Sequence, residues 1–530
     1  MRALVAGGEQ EKQHFLERNV SPYYEMVDLL IGQNRFAEAL TQAERAKARA
    51  LLDVLEGGRV NITGAMTREE QERERGLRAE LVSLNSQFAR EKQGQKPDQA
   101  LLAGLGAKLE KARLEYESYQ GTLYSQHPEL RVQRGRSEPF SLDEFSVQNL
   151  GANTAWLEYV VLRDKTLLFV LTRKSSGGAA DKTPRESNAG QPGAGLRVYT
   201  INMSEKDLAA RVKAFTGRVA SRQSGLQPLS SQLYELLVKP ARAQLRGITN
   251  VVVVPDGVLW ELPFQALQPA AAHYLIQDYA VSYAPSLTVL REMKKHRSPA
   301  AGASPVQNTL LAVGNPAIGA RTADRVKAVF MDEKLVPLPQ AERQVNLLRD
   351  LYGRDAASVY VGPDAREGRV KQEANRYRIL HLATHGILNN NSPMYSHLVL
   401  SQDEHSGEED GLLEAWEIMS MDLKADLVVL SACETARGRF GAGEGVIGLT
   451  WALFVAGCPA SVVSQWKVEA SSTTELMIEF HRNLVAGDRM PSVRVTKSES
   501  LRRAALKLLR GKKYSHPFYW APFVLIGDGG

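Results

Sequence analysis

Short runs of apolar residues alternate with amphipathic stretches through the C-terminal half of the chain. Strands are predicted at TLLAVGNP, ASVYVG, RILHLATHG, HLVLSQ, ADLVVLSAC and ASVVSQW. Helical spacing of apolar residues is found in AERQVNLLRDLYG, EGRVKQEANRY and GEGVIGLTWALFVAG. Because the strand runs are nearly continuously apolar, the pattern indicates a mainly parallel sheet with helices on both faces, an α/β fold.

The part of the chain from about residue 140 to 300 is also rich in predicted strands. TAWLEYVVL and TLLFVLTR are predicted to form a hairpin-like pair, and LRVYTI is a further predicted strand. NVVVVPDGVLWELPFQAL predicts a buried strand, a turn and a returning strand. Residues 174–195 are rich in Gly, Ser, Pro and charge, which predicts a disordered loop open to nicking or autoprocessing.

The first 130 or so residues carry helical patterns. SPYYEMVDLLIG and FAEALTQAERAKARALLDVL predict a helix pair that Ser21 begins and Gly57-Gly58 ends, similar to one tetratricopeptide-type repeat. A charged stretch from Thr67 to Gln120, broken near Gly94 and Pro97, predicts an antiparallel helical hairpin.

These patterns divide the chain into three units. Residues 1–136 form the helical region, and residues 137–300 and 301–530 form two α/β units. The boundary near residue 300 is set by the Pro/Ala/Gly-rich stretch HRSPAAGASPVQN. A length of 530 residues fits about three domains.

Composition narrows the class of protein. The net charge of +6 is small for this length, and the sequence has no basic stripe interleaved with aromatic residues. Direct nucleic-acid binding is therefore not predicted. Two cysteines fit a reducing compartment. We find neither the apolar core of a signal peptide nor a run of about 18 apolar residues. The sequence therefore predicts a soluble cytoplasmic protein with no membrane partner.

Two predicted strands end in residues suited to nucleophilic catalysis. RILHLATHG ends at His385-Gly386 and ADLVVLSAC ends at Cys433. The carboxyl ends of neighbouring parallel strands meet at one edge of a sheet. His385 would take the thiol proton as general base, and the amides of Gly386 and Cys433 would hold the oxyanion. Caspases show a similar His-to-Cys spacing of about 50 residues.

A core histidine, a zinc site and a nucleotide site are the alternatives to catalysis for the histidines and glycines of this region. His381 lies within the apolar run, which favours a structural, hydrogen-bonded core histidine. HLATH lacks the Glu of a zinc-protease helix, because Leu382 stands in that position. Gly443, Gly445 and Gly448 match a nucleotide-binding pattern but lie about ten residues too far from the strand. Neither a metal nor another cofactor is therefore predicted.

The C-terminal half resembles the CHAT family of caspase-like cysteine proteases (clan CD). HLATHG, LVVLSACET, GEGVIGL, VVSQWKV and HPFYWAPFVLIG match the successive motifs of that family. The resemblance is good over about residues 310–530 and looser over 140–300, which looks like a catalytically silent caspase-like half. It implies a caspase–hemoglobinase α/β sandwich preceded by tetratricopeptide-type helices.

The resemblance also implies roles for particular residues. His385 would be the base, Cys433 the nucleophile and Gly386 an oxyanion donor. The substrate pocket would be lined by Ser431 and bordered by Gln465, Trp466 and Glu469. Glu434, next to Cys433 in the sequence, is a further candidate for substrate binding. Many relatives have Asp where Glu469 stands, which leaves the pocket depth open.

The resemblance further implies a regulated endopeptidase in bacterial defence or programmed cell death. It would cleave a partner protein, for example a gasdermin-like effector, and an activating protein or complex would dock through the N-terminal helices. The alternative is a scaffold or sensor that uses the protease fold only for interaction. Acidic residues near the cleft would favour a basic residue before the scissile bond, unless they are solvated or cap helices.

Overall fold

The computed structural model of the chain describes most of its length. The described residues are 21–47, 98–126, 151–173, 194–296, 308–319, 335–388, 396–402, 409–431, 440–441, 445–446, 448–489 and 495–530, with residues 67, 142, 322 and a subset of 69–91. Among them, no helix is both long and apolar enough to cross a bilayer.

The core of the protein is β-structure. The strands of the described residues are β1 Thr154–Val161, β2 Thr166–Arg173, β3 Ala194–Ile201, β4 Asn250–Val254, β5 Ala280–Tyr283, β6 Asn308–Pro316, β7 Ala357–Gly362, β8 Tyr377–Ala383, β9 Gly386–Ile387, β10 His397–Val399, β11 Leu412–Glu414, β12 Leu427–Leu430, β13 Phe440–Gly441, β14 Gly445–Val446, β15 Ala460–Ser464 and β16 Phe523–Gly527. Eleven of them form one mixed sheet in the order β3-β2-β1-β4-β5-β16-β15-β12-β8-β6-β7. The others form a three-stranded sheet, β11-β10-β9, and the β13-β14 pair.

Most neighbours in the large sheet are parallel. The antiparallel pairs are β3-β2, β2-β1 and β15-β16, and the other seven pairs are parallel. β16 runs parallel to β5 and antiparallel to β15, and so joins the strands before residue 300 to those after it. The predicted mainly parallel α/β fold is confirmed.

Helices flank the sheet and precede it. They are α1 Ser21–Gly32, α2 Phe36–Ala46, α3 Gln99–Gln126, α4 Glu205–Ala220, α5 Gln227–Leu237, α6 Leu275–Asp278, α7 Leu287–His296, α8 Pro339–Tyr352, α9 Glu367–Glu373, α10 Ala415–Ser420, α11 Leu449–Val455, α12 Ala470–Arg489, α13 Lys497–Arg510 and α14 Pro517–Trp520. α8 packs closely on β6 because Gly314 has no side chain. A Cβ there would lie 2.9 Å from the Ala341 carbonyl oxygen.

The helical N-terminal region is confirmed. α1 and α2 form the predicted pair, whereas the predicted end at Gly57-Gly58 lies outside the described residues. The two arms of the hairpin are antiparallel. Leu81 packs on Leu109, and the Tyr119 hydroxyl donates to the Glu70 carbonyl.

The helix pair is anchored to the large sheet by buried polar contacts. Lys47 Nζ lies 2.7 Å from the Tyr159 carbonyl oxygen and 3.4 Å from a carboxylate oxygen of Glu158. The Tyr24 hydroxyl donates to the buried carboxylate of Asp256 at 2.9 Å. The helix pair is therefore joined to β1 and to the turn that follows β4, both more than 100 residues further along the chain.

Two predicted elements were wrong in detail. The expected returning strand after Asp256 is a pair of 3-10 turns, Gly257–Glu261 and Phe264–Ala266. The helix predicted from GEGVIGL begins only at Leu449, because Gly448 has a φ of +117°, which a helix does not allow. Most of the predicted 174–195 loop lies outside the described residues.

Candidate active site

The candidate site begins where two neighbouring parallel strands end. β8 and β12 are paired so that Leu382 is opposite Leu430, and the Ser431 amide donates to the Leu382 carbonyl at 2.9 Å. His385 follows Leu382 by three residues, and Cys433 follows Leu430 by three. The two strands therefore lead towards these residues from adjacent, aligned positions.

Backbone contacts on both sides hold His385 in place. Its carbonyl oxygen accepts a hydrogen bond from the Val399 amide at 2.9 Å, which ties it to β10. Its Nε2 lies 2.8 Å from the carbonyl oxygen of Val336. That contact makes Nε2 the protonated nitrogen of a neutral ring, which leaves Nδ1 as the basic one.

The segment that carries Val336 is itself anchored. The side-chain oxygen of Asn315, at the end of β6, accepts from the Leu338 amide at 2.6 Å. The Asn315 amide group donates to Glu342 at 2.8 Å. The end of the neighbouring strand thus fixes the partner of the histidine ring. This orienting carbonyl has no side-chain signal and could not be found in the sequence.

The residues that follow β12 are described only in part. Ser431 is partly buried, and its hydroxyl accepts from Gln344 Nε2 at 3.1 Å. Cys433 and Glu434 lie outside the described residues. Ser431 is therefore the last described position before the candidate nucleophile.

Gln465 and Trp466 lie in the core beside the joint between the strands before and after residue 300. Their exposed fractions are 4% and 2%. Gln465 Nε2 donates to the Trp260 carbonyl at 2.9 Å, and the Trp466 ring nitrogen donates to the Phe518 carbonyl at 3.2 Å. Both side chains join distant parts of the chain.

Glu469 caps helix α12. One of its carboxylate oxygens accepts from the Ser472 amide at 2.7 Å. Burial disfavours ionisation of this group, but the hydrogen bonds from Ser472 and Ser471 outweigh it and lower the pKa of Glu469. The carboxylate therefore has a capping role, which is one of the alternatives to substrate recognition that the sequence leaves open for acidic residues in this region.

A pair of buried histidines lies beneath the strand ends. His381 Nδ1 is 3.0 Å from His481 Nε2, and both rings are fully buried. Burial lowers the pKa of His381 to about 3, and burial together with His381 lowers that of His481 well below its ordinary value. His381 is therefore the hydrogen-bonded core histidine that the sequence favoured.

Comparison with known families decides the identity of this fold. The sequence model of the CHAT domain family matches residues 227–528, more than half of the chain. The chain belongs to the CHAT domain family. The family expected from the ordered motifs is confirmed, and the match extends upstream into the strand-rich region before residue 300.

Curated relatives of this CHAT protein carry tetratricopeptide repeats by name. Human tetratricopeptide repeat protein 28 is 25% identical over 357 residues, and the mouse protein of that name is 27% identical over the same length. These matches cover 59% of this chain. The chain spans 14% of the length of either relative.

Two solved structures illustrate a weak structural likeness to the CHAT protein. The Saccharomyces cerevisiae separase–securin complex aligns with a TM-score of 0.44 at 9% identity, over 97% of this chain and 40% of that one. The Arg-specific cysteine proteinase gingipain R aligns with a TM-score of 0.38 at 12% identity, over 61% and 74%.

A charge cluster of the CHAT domain supports the strands that follow His385. Lys371 Nζ of α9 contacts carboxylates of Glu367 at 2.6 Å, Glu409 at 2.5 Å and Glu417 at 2.7 Å. Glu367 also accepts from the Gly411 amide, and burial raises its pKa to about 8. The cluster thereby ties α9 to α10 and to the loop before β11.

The second cysteine of the CHAT domain is structural. Cys458 is fully buried and lies after α11, where its thiol donates to the Ala460 carbonyl at 3.1 Å. Burial of this kind makes a thiol inert. Cys458 is therefore an ordinary buried thiol of the core.

Proposed function

We propose that this CHAT protein is a cysteine endopeptidase with Cys433 as nucleophile and His385 as general base. The observation that carries the proposal is the alignment of β8 with β12. His385 and Cys433 each follow a member of the Leu382–Leu430 pair by three residues. Equal offsets from paired residues favour side chains close enough to share a proton.

The orientation of His385 supports its role as the base. The Val336 carbonyl holds Nε2–H, so Nδ1 is available to accept the thiol proton. The Cys433 thiolate would attack the scissile carbonyl carbon and form a C–S bond, with the oxyanion held by the amides of Gly386 and Cys433. His385 would return the proton to the leaving amine, and water would then hydrolyse the thioester.

We propose that the substrate is a peptide segment of a partner protein. Ser431 and Glu434 flank the nucleophile in sequence and would line the pocket for the residue before the scissile bond. Gln465 and Trp466 would support the pocket from the core, and Glu469 would border it at the start of α12. Because the carboxylate of Glu469 caps α12, Glu434 is the acidic residue that would favour a basic residue before the scissile bond.

The biological setting follows from the family resemblance. We propose a regulated cytoplasmic protease of bacterial defence or cell death that cleaves an effector, for example a gasdermin-like protein. An activating protein or complex would dock on the N-terminal helices. Lys47 and Tyr24 support this, because they connect the helix pair directly to the main sheet.

The test compares three alanine variants of the full chain. Cys433→Ala and His385→Ala should each abolish cleavage of a library of protein substrates, whereas Cys458→Ala should retain it. Cleavage by Cys433→Ala at the wild-type rate would contradict the proposal. A wild-type chain that cleaves nothing, yet binds partners equally well with and without Cys433, would favour the scaffold alternative.

A further inference from the structure

A chain of hydrogen bonds runs through the core from helix α8 and helix α12 to the end of β12. Gln344 Nε2 of α8 is 2.6 Å from His381 Nε2 and 3.1 Å from the Ser431 hydroxyl oxygen. Behind His381 lies His481 of α12, whose Nδ1 is 2.9 Å from the Tyr352 hydroxyl. Each of these four hydrogen bonds joins residues that are far apart in the sequence.

The direction of each link follows from the one before. An amide NH₂ group can only donate, so Gln344 donates to both His381 Nε2 and the Ser431 oxygen. His381 is then protonated on Nδ1 and donates to His481 Nε2. His481 is in turn protonated on Nδ1 and donates to Tyr352. Both imidazoles are neutral, as their full burial requires.

The Gln344 side chain is in the right place because of close helix packing. Gly314 allows α8 to approach β6, and Gln344, one turn beyond Gln340, is 2% exposed. Its amide can therefore reach across the end of the sheet to Ser431. Ser431 is held from two sides, since its own amide is bound to the Leu382 carbonyl.

We infer that Gln344, His381 and His481 are positioning residues that hold the Ser431 hydroxyl and, with it, the start of the segment leading to Cys433. The inference rests on the proposed role of Cys433 as nucleophile. Their proposed role is to position the chain, without taking part in the chemical step. They act through Ser431, which precedes Cys433 by two residues.

The experiment measures how fast iodoacetamide alkylates Cys433 in the full chain. Cys458 is fully buried, so the fast phase reports Cys433, and Cys433→Ala supplies the blank. The variants Ser431→Thr and Ser431→Val carry side chains of nearly equal volume, and only threonine has a hydroxyl group. We expect Ser431→Thr to keep most of the wild-type alkylation rate. The rate of Ser431→Val should fall by about threefold to tenfold, the range for the loss of one hydrogen bond.

A double-mutant cycle tests whether Gln344 acts through Ser431. Gln344→Leu should slow alkylation by about the same factor as Ser431→Val, and the double variant should be no slower than the slower single one. Asn346→Leu, the same kind of change on another side of α8, should leave the rate unchanged. Thermal unfolding of each variant confirms that it is folded.

Equal alkylation rates for Ser431→Val and Ser431→Thr would overturn the positioning role. It would also be overturned if the rate reductions of Ser431→Val and Gln344→Leu were independent, so that the double variant showed their product. The Thr and Val pair decides the matter even where Gln344→Leu does not fold. Alkylation needs no peptide cleavage, so this result is separate from the proposed activity. A rate unaffected by His385→Ala would contradict the peptidase proposal while leaving the Thr–Val comparison valid.

Discussion

Glu44 of α2 caps a helix that begins 243 residues further along the chain. Its carboxylate accepts from the Thr288 amide at 2.7 Å and the Thr288 hydroxyl at 2.6 Å, and also from the Leu287 amide at 3.0 Å. These donors form the N-terminal turn of α7, where a negative charge is favoured. The N-terminal helix pair is therefore part of the folded core.

Glu44→Ala should destabilise the whole protein. Three buried donors would lose their acceptor, and each unsatisfied donor costs about 1–3 kcal/mol, so we expect a loss of at least about 3 kcal/mol in the free energy of unfolding. Urea titration followed by fluorescence measures it. Glu38→Ala removes an exposed carboxylate from the same helix and should leave the midpoint of the urea titration close to that of the wild type. Equal effects of the two variants would contradict the capping role.

The stability of the protein should fall in mild acid because of the buried histidines. The folded-state pKa of His381 is about 3, below the value of about 6.5 for a free imidazole. Its contribution is therefore complete above about pH 6.5 and is lost as the pH falls towards 3. By pH 5 the loss from His381 alone is about 2 kcal/mol.

Removing the titrating ring tests this pH dependence. Between pH 7 and pH 5, the free energy of unfolding should fall less for His381→Gln than for the wild type, as measured by urea titration at both pH values. His273→Gln, which changes a partly exposed histidine paired with Asp278, should behave like the wild type. A wild-type protein equally stable at both pH values would show that the pair takes up no proton on unfolding.

Lys371 should matter more at high pH than at low pH. Without its ammonium group, the carboxylates of Glu367, Glu409 and Glu417 would face one another, and burial already raises the pKa of Glu367 to about 8. A carboxyl with a raised folded-state pKa loses its stabilising protonation as the pH rises. Lys371→Met should therefore cost about 3 kcal/mol or more at pH 8 and clearly less at pH 5.

The control for the charge cluster is Lys424→Met, which removes an exposed partner of Asp422. It should change the free energy of unfolding by less than about 1 kcal/mol at either pH. If Lys371→Met lowers the free energy of unfolding equally at pH 5 and pH 8, the decrease reflects lost packing of the aliphatic part of the lysine and not repulsion among the carboxylates.

His385 should control the reactivity of Cys433 even without a substrate. An isolated thiol with a pKa of about 8.5 is only about 3% ionised at pH 7. His385→Ala should therefore slow alkylation of Cys433 at pH 7 by more than about tenfold and bring the pH profile closer to that of a free thiol. His516→Ala, a histidine bound to the Gln223 carbonyl, serves as the matched control.

The strands and the strand ends could be predicted because their signals are local. Apolar runs such as RILHLA and LVVL are buried as expected, and the register that pairs Leu382 with Leu430 aligns the two ends. A change from apolar to small and polar residues marks such an end in the sequence. Those signals were enough to select His385 as the candidate base.

The contacts that support the site could not be predicted because they join remote parts of the chain. His481 lies in an amphipathic helix 100 residues from His381, and nothing in FHRNL indicates that its ring is buried. The Val336 carbonyl is a backbone group and has no residue signature. Glu44 and Lys47 look like surface residues of an ordinary amphipathic helix, yet both are buried.

The position of β16 has a consequence for the order in which the protein is made. Tyr283 of β5 and Phe523, at the start of β16, are 240 residues apart, so a ribosome adding about 5–20 residues per second takes roughly 12–50 s between them. Throughout that interval the nascent chain holds β5, and later β15, with an unpaired edge, and such edges invite pairing with other chains. Insertion of β16 is therefore a late step in biogenesis, and chaperone protection would be most valuable before it.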